Sequence, residues 1–221
     1  MDSVNFRFKH ASGPGPSEIS TAIRLLGAIA LILAICSAGG CITTQLKATS
    51  SRPVDAKMEV IAHASIGQHS IDSVCLLAFT TPPEMAAASS SLTSAFQTRL
   101  VQRGAFREIK TLPYDVKSDS EALWYARNEG CTLAMRPSLV YMMDGTGAMP
   151  TELVVRTRIL DARTGQVLWD IKQNAQSEPG YDIDLTWNTF TGEPAQRRRV
   201  MADCLAQRFA EYLVKPLVKE Q

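Results

Sequence analysis

Ligand-forming and nucleophilic patterns are scarce in this chain of 221 residues. The three histidines, His10, His63 and His69, form no ligand cluster, and none of the five cysteines stands in a C-x-x-C pair. A structural zinc site draws on such groupings, so none is expected, and no cofactor is implied. No G-x-S-x-G elbow is present, and Ser89-Ser90-Ser91 reads as the exposed face of a helix. A net charge of +1 also excludes a class of function. Residues 1–40 hold Arg7, Lys9 and Arg24 against Asp2 and Glu18, and setting these aside leaves 20 basic and 20 acidic residues. A neutral remainder has no global attraction to nucleic acid or anionic lipid.

What the chain does have is an export signal. Basic residues at Arg7, Lys9 and Arg24 precede the apolar run from Leu25, LLGAIALILAICSAGGC, which closes on small residues. Ala38-Gly39-Gly40-Cys41 resembles a lipobox, with Ala38 where Leu is commonest. The resemblance implies cleavage before Cys41 and acylation of its thiol. Cys36 fits less well, because bulky Ile35 sits next to it. The alternative is an uncleaved anchor over Leu25 to Thr44, about the length that spans a bilayer. Residues 1–40 therefore read as a signal peptide, 41–57 as a polar flexible tether, and 58–221 as one globular domain.

Along that domain, Met58 to Ala62 reads as an edge strand and Ser73 to Phe79 as a buried one. Met85, Ala88, Leu92, Phe96 and Leu100 recur at helical spacing and stop at Gly104. Phe106 to Leu112 then reads as a second strand. Ser118 with Glu121 has the spacing of a capping box, and Gly130 closes the short helix that it opens. Cys131 to Met143 reads as a central strand and Leu153 to Leu160 as a half-exposed one. Asp161 to Gly165 is a turn, with Gln166 to Trp169 as the return strand. Glu178 to Pro194 is loop-like, and Val200, Cys204, Leu205, Phe209 and Leu213 mark a last helix. The core order β-α-β-α-β-β-β-α predicts an α/β (α+β) sandwich: a mixed sheet of about five strands with helices packed on it, early strands parallel and late ones antiparallel.

Three stretches carry a family resemblance: Leu77-Ala78-Phe79, Leu100 to Phe106, and Leu160 to Trp169. In this order they resemble envelope proteins that include the TolB amino-terminal domain, the curli secretion lipoprotein CsgG, the activator LpoB and small outer-membrane lipoproteins. The resemblance covers roughly 72–217 and implies a domain used for docking, not chemistry. A membrane-spanning β-barrel hairpin is disfavoured, since 174–194 contains Pro179, Gly180, Gly192 and several carboxylates.

Several constellations have two readings. Glu178, Asp182 and Asp184 fall short of a hard-cation ligand set and read as loop charge. Arg197-Arg198-Arg199 fans around a helix, either as a solvated face or gripping anionic lipid or glycan. Trp187 and Phe190 are interface anchors or core aromatics. Cys75 and Cys131 can pair if their strands are neighbours, and buried free thiols are the other outcome.

The expectation is a non-enzymatic envelope lipoprotein, anchored through Cys41, that binds another envelope component in assembly, secretion or regulation. Its predicted place is the periplasmic face of the outer membrane, since Ile42, not Asp, follows the cysteine; an inner-membrane anchor is the alternative. Two other functions remain open. One is a cell-wall or glycan-acting enzyme using Glu121, Asp161 or Asp182; the other is a subunit of a homo-oligomeric secretion ring.

Overall fold

Six consecutive residues without a charge, Ser73–Ala78, form a strand buried almost throughout, and the rest of the fold is built around it. The structure is a computed structural model and describes residues 50–62, 64, 71–145, 148–186 and 188–215. The signal segment, Cys41, His63, His69 and Trp187 lie outside the described residues.

The elements, numbered in chain order, are β1 (Asp55–Ala62), β2 (Ser73–Ala78), α1 (Ala86–Arg103), β3 (Glu108–Asp115), α2 (Asp119–Asn128), β4 (Leu133–Met143), β5 (Thr151–Asp161), β6 (Val167–Ser177), β7 (Ile183–Leu185), β8 (Asn188–Phe190) and α3 (Arg198–Val214). A single 3-10 turn, Pro83–Met85, leads into α1. Six strands form one sheet in the order β1-β6-β5-β4-β2-β3, and β7 and β8 form a separate antiparallel pair. β2 runs parallel to β3 and β4, while β4, β5, β6 and β1 are antiparallel neighbours. The mixed α/β sandwich is therefore as expected, with the edge strand bringing the sheet to six.

Local signals set the helix ends. Ser118 Oγ accepts the Glu121 N–H at 3.2 Å, and the Glu121 carboxylate accepts the Lys117 N–H at 3.2 Å, so the capping box forms. Gly104 closes α1 at φ 60°, a conformation that costs other residues more, while the Ala105 N–H donates to Leu100 O at 3.1 Å.

Helices α1 and α3 cover one face of the sheet. Leu76, Met135, Val155, Ile159 and Trp169 meet Leu92, Phe96, Leu205 and Phe209 there in the main core. Helix α2 covers part of the other face, over Cys75 and Leu77 of β2, Ala134 of β4 and Leu160 at the end of β5. Burying such side chains stabilises the fold by roughly 1.5–3 kcal/mol each.

Four details differ from the sequence reading. β1 begins at Asp55, inside the stretch read as tether. β6 extends to Ser177, well past Trp169. The stretch read as loop holds the β7–β8 hairpin. β5 is largely buried instead of half-exposed, because Leu153, Val155 and Ile159 pack in the main core while Val154 and Leu160 are covered on the other face; Arg156 alone stays exposed. In one respect the structure decides what the sequence left open: Cys75 and Cys131 form a disulfide, with Cα atoms 5.7 Å apart, and Cys204 is free.

Candidate docking site

The first described residues are gripped at one end of the sheet, where β1 starts and β6 stops. The Arg52 N–H donates to Glu178 O at 3.0 Å, and Ser177 Oγ donates to Arg52 O at 3.0 Å. Arg52 Nη2 donates to the Tyr181 hydroxyl at 2.9 Å, its guanidinium lies 5.6 Å from the centre of that ring, and it pairs with Glu178. Ser51 accepts from Gln196 Nε2 at 2.8 Å and donates its N–H to Glu193 at 3.2 Å. Ser51 and Arg52 are thus part of the domain, not tether.

Beside this grip lies a cleft of about 470 Å³ lined by Ala148, Pro150, Tyr181, Asp182, Thr191 and Gly192. A side chain at Gly192 would run into the Gly180 backbone, so glycine is what lets the two arms of the loop close. Asp182 accepts the Gly192 N–H at 2.7 Å, and Asp184 accepts from the Thr189 hydroxyl at 2.9 Å. Glu178, Asp182 and Asp184 each hold a part of this loop. Among the described residues, no group of three His, Cys, Asp or Glu is placed to hold a metal ion.

The predicted interface residues divide. Phe190 is half-buried in β8, opposite Ile183. Arg197 caps the start of α3 from outside and is exposed, as is Arg199. Arg198 is half-buried, 3.8 Å from Asp144 and 3.9 Å from Met142 Sδ.

The three carboxylates considered for catalysis are not brought together. Glu121 is in the first turn of α2, Asp161 ends β5, and Asp182 precedes β7 at the opposite end of the sheet. Each accepts a backbone N–H; for Asp161 the donor is Thr164 at 2.6 Å, a bond that holds its carboxyl below the ordinary carboxylate range. Ser89 is half-buried and donates to Phe79 O at 2.7 Å, while Ser90 and Ser91 are exposed.

Two features escaped the sequence reading. One is a charge ladder on the α2 side of the sheet. Asp119 accepts from Arg136 Nε at 2.8 Å and from Arg158, and Asp170 accepts from Arg156 at 2.8 and 2.7 Å. The Arg156 hydrogen bonds, and then the charges of Arg156, Arg158 and Arg136, hold Asp170 below its usual range. The second feature is an aromatic trio at the β3 edge. Tyr114 stacks on Tyr125 at 4.3 Å, and Trp124, 58% exposed, meets Tyr125 edge-on at 4.9 Å. Helical phase was the available signal for the trio, since Trp124 falls off the Ala122–Ala126 face that packs on the sheet.

No family model and no curated protein matches the chain. Solved structures do. The PelC dodecamer from Paraburkholderia phytofirmans superposes with a TM-score of 0.53 at 15% identity, over 73% of this chain and 99% of that one. A single-substitution variant of the same dodecamer gives the same values. The hypothetical protein CT253 from Chlamydia trachomatis reaches 0.42 at 12% identity, over 65% of this chain and 98% of that one. Lipoprotein GNA1162 from Neisseria meningitidis reaches 0.37 at 9%, over 65% and 99%. The likeness to PelC is one of fold; the other two fall below the range where a common fold is defined.

Proposed function

We propose that this chain is a non-enzymatic envelope lipoprotein. Residues 1–40 export it, acylated Cys41 holds it at the periplasmic face of the outer membrane, and its domain binds another envelope component in assembly, secretion or regulation. The observation that carries this reading is the shared fold with PelC, which forms a dodecamer. Two facts support it. The carboxylates that an enzyme would have used lie on separate elements and are each engaged by backbone N–H groups. A buried disulfide suits an oxidising compartment.

Mass spectrometry of the membrane-extracted protein, beside a Cys41→Ala variant, tests the anchor. An acylated Cys41 peptide, with the variant left unprocessed, is the expected result. An intact N-terminus containing Arg24 would replace the lipid with an anchor over Leu25 to Thr44 and move the protein to the inner membrane. Crosslinking in the membrane then identifies what the domain touches.

The dodecameric state of PelC favours a second reading, a subunit of a homo-oligomeric ring. Light scattering of detergent-solubilised full chain separates the two, since a ring gives one high multiple of the subunit mass and a heterologous binder gives the monomer.

A further inference from the structure

The grip on Ser51 and Arg52 fixes where the chain leaves the domain, and the geometry points to a membrane-facing end. This end carries the β7–β8 hairpin, the cleft with its lining residue Tyr181 at 61% exposure, and Met149 at 54%, between the lining residues Ala148 and Pro150 in the chain. We infer that Met149 and Tyr181 rest in the lipid headgroup layer, with Arg52 as the positioning residue. The inference rests on membrane attachment upstream of Ser50, and holds for an acylated Cys41 and an uncleaved anchor alike.

Chain length limits which end of the domain can reach the bilayer. From Cys41 to Ser50 is nine steps of the backbone, which at full extension reach about 30 Å. An eleven-residue strand such as β5 is itself about 35 Å long. The far end of the sheet carries the C-terminus of α1 and the Asp161–Gly165 turn, with exposed Val101 and Arg163. To bring that end to the bilayer, the tether would have to run the length of the domain, and it falls short. With an anchor ending at Thr44 the reach is shorter still.

Side-chain chemistry suits the same end. Tyr and Met present apolar bodies, and a tyrosine ring is stable at a membrane interface, where its hydroxyl stays wet. The Tyr181 hydroxyl already accepts from Arg52, whose guanidinium also lies over the ring and holds it beside the start of the domain. This end carries Asp144, Glu178, Asp182, Asp184 and Glu193 against Arg52, Arg197 and Arg198. With no excess of positive charge, the surface that fits is a zwitterionic headgroup layer.

The test uses the full chain in phosphatidylethanolamine vesicles, with benzoylphenylalanine replacing Met149 or Tyr181 in separate variants and Val101 or Arg163 in two controls. Vesicle flotation first reports attachment, and the melting temperature reports folding. Lipid adducts at 149 and 181 and none at 101 and 163 are expected, with fewer adducts when phosphatidylglycerol is added. Attached, folded protein without adducts at 149 and 181, or with equal adducts at all four positions, overturns the orientation and leaves the lipoprotein reading standing. Protein that does not float at all overturns both.

Discussion

Arg156 grips Asp170 with two parallel N–H donors, Nε at 2.8 Å and Nη2 at 2.7 Å, across neighbouring strands β5 and β6. The Asp170 side chain is only 7% exposed, and Arg158 Nε lies 3.5 Å from its second oxygen. Such a carboxylate holds several guanidiniums in place at once. Asp170→Asn takes away the charge partner of Arg156, leaves Arg158 with Asp119 alone, and keeps the shape, so the loss is electrostatic. A destabilisation of about 2 kcal/mol is expected, read as a lower urea midpoint with an unchanged slope. Arg156→Lys is expected to cost about 1 kcal/mol, because a point charge cannot reproduce the two-bond fork.

Acid should find the same weakness. Asp170 is held down by Arg156, Asp203 by Arg99, and Asp161 by the Thr164 N–H. All three bind protons less readily folded than unfolded. Their stabilisation is therefore complete above the unfolded value, about 3.9, and is lost as pH falls through the lower folded values. Urea midpoints are expected to be flat with respect to these three groups from about pH 5 upward, and to fall steeply below about pH 4. In Asp170→Asn the acid limb should be shallower, since one of the three groups is gone. An equal limb in both proteins would remove Asp170 from the account.

Short-range chemistry was what the sequence displayed. Ser118 and Glu121 are three residues apart, and Gly104 closes its helix alone, so both ends could be read locally. The same holds for β2, whose apolar run needs no partner to be recognised. The remainder depends on distant pairings. Arg158 reads as a solvent residue until Asp119, 39 positions away, is placed against it, and along the sequence alone β5 reads as half-exposed. Arg52 and Tyr181 are 129 positions apart, so nothing local marks Arg52 as part of the domain rather than the tether. Strands β7 and β8 have three residues each, too few for a period to show between prolines and glycines. As for the candidate site, Phe190 and the arginines were legible as residue types, while the cleft beside them exists only once Gly180 and Gly192 meet.

The Cys75–Cys131 bridge closes a loop of 56 residues, and both cysteines are buried at 0% and 5% exposure. Constraining an unfolded chain over a loop of that size is worth about 2–4 kcal/mol. Replacing both cysteines with alanine is expected to lower the melting temperature by roughly 10 °C. Burial adds a kinetic expectation: reductant should open the bridge only at the rate of unfolding. Non-reducing peptide mapping checks the pairing directly. Free Cys75 and Cys131 in protein extracted from membranes would remove the bridge, and with it one support for the oxidising compartment.

Phe96 is the side chain on which both large helices depend. It projects from α1, meets the Phe79 ring edge-on at 5.0 Å and lies 5.4 Å from Phe209 of α3. All three rings are buried to 1% exposure or less. Removing the middle ring leaves a cavity bounded by the end of β2 and by both helices, and rigid neighbours on three sides limit collapse into it. Phe96→Ala is therefore expected to cost about 4 kcal/mol, near the upper part of the range for such truncations. Phe96→Leu keeps most of the volume and should cost about 1 kcal/mol. Comparable losses for the two variants would mean that ring geometry, rather than filled volume, holds α1 against α3. The urea midpoints of the pair decide between these.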